Sequence, residues 1–169
     1  NIGYLPRSRK SARSAISFFV DTTKIIPSPS TLTLKKGTVA TTAGSFGNQS
    51  YVFSILEDIT SPVYNNVAQF DNILVYEGTL LNTNFTYNSR NPNQKFILPN
   101  IGIDTDLIAV NVKSNEMATA KTKYSTQTSL FDIDKNSKAY YLQEVEDERY
   151  QLFFGDGIFG KALEEGNFI

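Results

Sequence analysis

The 169-residue sequence predicts a mainly β fold, with antiparallel strands and hairpins forming one or two small β-domains and little short helix. Three observations carry this reading. Nearly every organised segment alternates apolar and polar residues with a period of two, as a half-buried strand does. Clusters of Gly, Pro, Asn and Ser recur at short intervals between those segments. Helical periodicity is weak and the connections are too short for helical crossovers, so antiparallel pairing is expected to dominate.

Taken in order, Ile16-Ser17-Phe18-Phe19-Val20 places Ile16, Phe18 and Val20 on one face of a strand. A turn cluster follows at Ile26-Pro27-Ser28-Pro29. Leu32-Thr33-Leu34, Lys35-Lys36-Gly37 and Thr38-Val39 read as strand, turn, strand. After a second cluster at Gly44-Ser45-Phe46-Gly47-Asn48, Tyr51 to Leu56 is again a strand. The best helix candidates are short: Pro62 to Phe70, then Ser129 to Asp132. Further strands are expected at Ile73 to Glu77, Phe85 to Tyr87, Phe96 to Leu98, Leu107 to Lys113, Tyr140 to Val145 and Tyr150 to Phe154. A third turn cluster is Asn88-Ser89-Arg90-Asn91-Pro92-Asn93. Polar, Asn-rich sequence after Glu77-Gly78 marks a boundary. It gives a first β-domain over 1–78 and a second over 79–148, either consecutive or inserted. A hairpin over 149–169 returns to the first domain in the inserted case.

Composition narrows the chemistry. An apolar content of 40% is enough to bury a core, and a net charge of −1 gives no global pull toward nucleic acid or anionic membrane. Cysteine and histidine are both absent. That removes disulfides, thiol nucleophiles, Ser-His-Asp and Cys-His arrangements, histidine zinc sites and the usual general base near neutral pH. No enzyme activity, metal or cofactor is expected. No apolar run approaches the roughly 18 residues that span a bilayer. Asn1 opens no signal peptide, and the missing initiator Met with the stop at Phe168-Ile169 points to a fragment of a longer polypeptide. The sequons at Asn48 and Asn84 read as chance matches in an Asn-rich chain.

Phe154-Gly155-Asp156-Gly157-Ile158-Phe159-Gly160-Lys161 satisfies three nucleotide patterns: G-x-G-x-x-G, G-x-x-x-x-G-K and a kinase-like glycine loop. The two phosphate motifs need a helix behind the loop, because its N-terminal N–H groups hold the anion. Only Ala162-Leu163-Glu164-Glu165 follows before Gly166-Asn167, and Ala162 stands where a magnesium-binding hydroxyl is required. The kinase pattern needs a lysine strand and a catalytic lobe beyond Ile169. Asp156-Gly157 between apolar runs reads instead as a type I′ hairpin turn, with Gly155 and Gly160 relaxing the backbone on either side. Gly166-Asn167 repeats the signal ahead of a strand starting at Phe168-Ile169.

Three charged clusters remain. Arg7, Arg9, Lys10 and Arg13 form a basic run without interleaved aromatics, read as a protein interface rather than a nucleic-acid site. Asp132-Ile133-Asp134-Lys135-Asn136 opens like a calcium loop, but Ser137 replaces the required Gly and Gln143 the bidentate Glu, leaving an Asx turn. Glu144, Glu146, Asp147 and Glu148 read as a solvated hairpin loop rather than paired catalytic carboxylates.

Three stretches taken in order resemble a known family. They are Asn1 to Ser8 leading into Ser11-Ala12-Arg13-Ser14-Ala15-Ile16, then Lys36-Gly37-Thr38 followed by Tyr51-Val52-Phe53, and finally Tyr150 to Ile169. The closing Phe154-Gly155-Asp156-Gly157-Ile158-Phe159-Gly160-Lys161-Ala162-Leu163 with Gly166-Asn167-Phe168-Ile169 is the most specific. The order is similar to the baseplate wedge proteins of T-even-type contractile-tailed bacteriophages, and more distantly to baseplate J-like proteins. The resemblance implies a non-enzymatic virion protein that dimerises within the wedge and contacts other wedge subunits. Those contacts join wedges into a ring around the hub that rearranges on tail contraction, with no nucleic-acid or membrane partner. A second reading of the Asn- and Tyr-rich strands is a carbohydrate- or receptor-binding β-domain. A third is a nucleotide-using enzyme cut after its glycine loop.

Overall fold

The computed structural model describes residues 8–42, 50–126 and 133–169. The expected turn at 44–48 and the helix candidate Ser129 to Asp132 lie outside those residues. The chain is mainly β and divides into two compact units, Ser11–Asn82 and Thr83–Ile169, the second joined by residues 8–10.

The first unit contains β1 (Arg13–Asp21), β2 (Thr31–Leu34), β3 (Gly37–Thr41), β4 (Val52–Ile55), β5 (Ile59–Tyr64) and β6 (Val67–Glu77). They form one sheet in the order β2-β5-β6-β4-β3, with β1 also paired to β6. All pairings are antiparallel. Strand β6 organises the unit because its alternation buries Ala68, Phe70, Ile73 and Val75. Between Phe70 and Ile73 the period-two pattern slips by one residue. Asp71 and Asn72 together face Ser17, a β-bulge in which Asn72 takes φ 53° and donates its N–H to Ser17 Oγ at 2.9 Å. The bulge returns Ile73 and Val75 to the core face. They join Ile55, Ala68 and Phe70 in one cluster, onto which Ile16, Phe18, Val20, Leu32 and Leu34 pack.

One expectation is corrected here and another is met. The segment 62–70 is not helical: it is the end of β5, a hairpin turn and the start of β6. Asn65 and Asn66 both adopt positive φ, 50° and 62°, as a type I′ turn requires, and asparagine tolerates that conformation better than most residues. The segments around Lys35-Lys36-Gly37 are strand, turn, strand, but β2 and β3 do not pair with each other. β2 pairs with β5 and β3 with β4. The Asp58 carboxylate takes Lys35 Nζ and Lys36 N–H, both at 2.8 Å, and so redirects the chain between them.

The second unit contains β7 (Phe96–Ile97), β8 (Val110–Val112), β9 (Thr122–Thr126), β10 (Ala139–Glu144) and β11 (Tyr150–Phe154) in the order β7-β11-β10-β9-β8. One pair, β9 with β10, is parallel; the others are antiparallel. Short 3₁₀ turns at Thr105–Leu107 and Glu146–Glu148 are the helical elements among the described residues. The core gathers Phe96, Val110, Val112, Tyr124, Tyr140, Leu152 and Ile169. Phe96 and Tyr124 each meet Phe154 edge-on at 5.7 Å, a preferred aromatic geometry. Burial pushes the Tyr124 and Tyr140 hydroxyls up in pKa, and Tyr140 donates to the Ile108 carbonyl at 3.2 Å.

The segment 149–169 does not return to the first unit. β11 pairs along its whole length with β10 and at Gln151 and Leu152 with β7, because Leu152 is buried in the second core. The strand expected at Phe85 to Tyr87 and the one expected at Phe168-Ile169 are isolated bridges rather than strands. Phe168 bridges both Thr86 and Lys113, with Phe85 and Ile169 exchanging backbone bonds at 2.8 and 2.9 Å.

Candidate functional site

The glycine cluster is a closed loop hung on the end of β11. Gly155 bridges Ala162, so the chain leaves the strand and comes back within eight residues (155–162). What permits the return is the missing side chain at Gly155. A Cβ there would lie 2.2 Å from the Gly160 carbonyl carbon and 2.3 Å from its oxygen. Gly157 and Gly160 hold φ of 90° and 93°, in the left-handed region that favours glycine.

Asp156 does not enter positive φ, so the expected type I′ hairpin is not made. The carboxylate wins the local competition: Oδ1 accepts the N–H of Ile158 at 2.9 Å and of Phe159 at 2.8 Å, an Asx turn. The next amides are equally engaged. Gly157 N–H donates to Gly160 C=O at 3.0 Å, Gly160 N–H to Asp134 C=O at 3.0 Å, and Lys161 N–H to Ser137 C=O at 2.8 Å. Every N–H from Gly157 to Lys161 is therefore committed within the protein. A phosphate loop requires those amides free and convergent. Here they hold the loop shut, and the side chains of Ile158 and Phe159 stand out in solvent, 69% and 57% exposed.

Asp134 belongs to the calcium-like segment, and the structure brings that segment against the glycine loop. Asp134 Oδ1 accepts Asn136 N–H at 2.9 Å and Ser137 Oγ at 2.8 Å, the expected Asx turn; Asp132 lies outside the described residues. Sequence spacing gave no sign that the two motifs meet. Their contact is tertiary, through the Asp134 and Ser137 carbonyls.

The basic run is divided. Arg7 lies outside the described residues. Arg9 pairs with Glu148 at 3.4 Å and lies against Gly102, and Lys10 reaches Asp106 and Asp104, the latter at 3.6 Å. Arg13 is exposed in β1, opposite Tyr76 of β6. The acidic segment closes the β10–β11 hairpin, with Val145 N–H bonded to Arg149 C=O at 2.8 Å and Arg149 paired with Asp147 at 2.8 Å.

Both loop carboxylates titrate below the ordinary range. Asp156 is held down by the Phe159 and Ile158 N–H groups, and Asp134 by the Ser137 hydroxyl and then by backbone N–H groups. A carboxylate with a depressed folded pKa contributes stability above its unfolded value, and loses it as pH falls through the folded value. The protein should therefore hold its melting temperature down to the carboxylate range, about pH 4, and lose it progressively below. Asp156→Asn should flatten that acid limb in a series of thermal melts. An unchanged limb would show that the Asp156 bonds contribute nothing.

No protein-family model matches the chain, and no curated protein matches it.

Proposed function

We propose that the chain is a structural module of a contractile-tail baseplate wedge, acting by assembly with other wedge subunits rather than by catalysis. One observation carries the reading: the loop that bears the most wedge-like sequence has its amides committed within the protein and presents an apolar pair. A rigid loop with Ile158 and Phe159 exposed binds protein better than it binds anions, since apolar anchors in preorganised positions dominate interface energetics. The absence of histidine and cysteine from the sequence agrees with an assembly role.

The test separates assembly from folding. Ile158→Asp with Phe159→Asp should leave the melting temperature nearly unchanged, because exposed sites typically cost under about 0.5 kcal/mol. The same double variant should abolish incorporation into tails, read by whether an antibody against the chain labels the distal end of purified particles. Normal incorporation of the variant would remove the loop from the interface. Failure of the antibody to label tails assembled with the unaltered protein would remove the wedge reading itself.

A second reading, a carbohydrate- or receptor-binding domain, is favoured by the groove along β1 and β6. There Phe19 is 71% exposed beside Ser17, and Gln69 Nε2 donates to Asp71 Oδ1 at 3.0 Å. An exposed ring flanked by a pre-oriented amide and carboxylate suits a sugar face and its hydroxyls. Retention on a glycan array, lost with Phe19→Ala and unaffected by the Ile158/Phe159 double variant, would favour it over assembly.

A further inference from the structure

Among the described residues, strand β1 has one edge without a partner strand: it pairs with β6 and with no other. The parity of that pairing is fixed at both ends: Ala12 C=O accepts Glu77 N–H at 2.8 Å, and Thr22 N–H donates to Asn66 C=O at 2.8 Å. In an antiparallel ladder alternate residues bond to the partner strand, and those between them turn N–H and C=O the other way. Even-numbered positions therefore face β6, and Arg13, Ala15, Ser17, Phe19 and Asp21 present their backbone groups to the open edge. The bulge sits in β6, at Asp71-Asn72, so β1 keeps this parity from end to end.

Nine residues of open edge are a template for another strand unless a proline, a bulge, a short length or a covering element blunts it. Neither proline nor bulge occurs in Arg13–Asp21. What distinguishes this edge is its fit to itself. If it is laid antiparallel on a copy with the dyad at Ser17, Arg13 falls opposite Asp21 of the second copy. Ala15 then falls opposite Phe19, and Ser17 opposite Ser17. All five outward-facing positions are matched, and the charges are complementary twice over by symmetry. Moving the dyad one residue toward the N-terminus sets Arg13 against Phe19 and Asp21 against Ser11. Moving it the other way sets Asp21 against Ala15. Only the Ser17 register pairs both charges. It also continues the inner face, with Ile16 beside Phe18 of the copy. The Asp21 carboxylate is already positioned by Thr23 N–H at 2.8 Å.

We propose that β1 is a self-association surface, pairing antiparallel with β1 of a second copy of this chain about a two-fold axis at Ser17. The proposal rests on this strand alone and stands or falls independently of either functional reading above. It needs no helix.

Sedimentation of the 169-residue chain should show a dimer that dissociates on dilution and weakens with salt. Arg13→Glu, which sets like charges together at both symmetric positions, should weaken association roughly tenfold or more. Adding Asp21→Lys to it should restore the dimer with the charges exchanged. Because the chain has no cysteine, Ser17→Cys introduces its only thiol, directly opposite its own copy. Mild oxidation should cross-link that variant and leave Ser14→Cys, which would face Val20, uncoupled. Thermal melts establish that each variant is folded. A chain that remains monomeric at its highest soluble concentration and gives no Ser17→Cys cross-link overturns the proposal. So does a dimer indifferent to Arg13→Glu.

Discussion

Gly155→Ala is expected to destabilise the second unit by about 3 kcal/mol or more, the penalty typical of severe overpacking. The cause is steric rather than conformational, since Gly155 is not among the glycines at positive φ. An added Cβ would sit 2.2 Å from the Gly160 carbonyl carbon, 2.3 Å from the oxygen and 2.6 Å from the Cα. All three are backbone atoms, and Gly160 is pinned by its N–H bond to Asp134 C=O at 3.0 Å, so the neighbour cannot swing aside. Gly157→Ala supplies the contrast. Its Cβ would meet nothing nearer than Ala162 Cβ at 3.8 Å, leaving only the strain of φ 90°, about 1–2 kcal/mol. Urea unfolding followed by circular dichroism ranks the two. A cost at Gly155 below that at Gly157 would disprove the close-packed loop. A nucleotide-binding loop would behave differently, losing nucleotide-dependent stabilisation with its fold intact.

How much of this was legible in the sequence depends on where each determinant lies. Strand β1 follows from its alternation, and β4, β10 and β11 from short runs rich in aromatic and branched residues. The start of β6 was obscured by its turn and its bulge. Val63, Val67 and Phe70 stand at i, i+4 and i+7, a helix-like spacing that the Asn65-Asn66 turn creates by accident. Strand β9, Thr122–Thr126, carries one buried aromatic, Tyr124, and so shows no periodic signal at all. In the candidate site, the glycine spacing at Gly155, Gly157 and Gly160 marks a place where the chain turns. It did not tell that Asp156 would make an Asx turn instead of a type I′ hairpin. Nor did it show that Asp134 and Ser137 would close the loop from outside. Those bonds join Gly160 to Asp134 and Lys161 to Ser137, 26 and 24 positions apart, beyond the reach of any local rule.

Phe70→Ala is expected to cost about 3–5 kcal/mol, a large share of the 5–15 kcal/mol that holds a typical domain together. Phe70 is 2% exposed, and its ring stacks on Phe18 with centroids 5.1 Å apart and planes 19° from parallel. The site is poorly able to collapse around a cavity. Phe70 is flanked by the bulge at Asp71-Asn72, and its strand is held by β1 on one edge and β5 on the other. The loss should be confined to one unit, because the two clusters of buried apolar residues share no member. Native-state hydrogen exchange makes the distinction: amides of β4 and β6 should lose protection while those of β10 and β11 keep theirs. Equal loss in both would show that the cores are energetically coupled. Phe18 also anchors β1 through this contact, so the same variant should loosen the strand whose outer edge carries Arg13 and Asp21. Self-association should then weaken in Phe70→Ala although no residue on the proposed surface has changed. A dimer that survives the substitution undiminished would place the contact elsewhere.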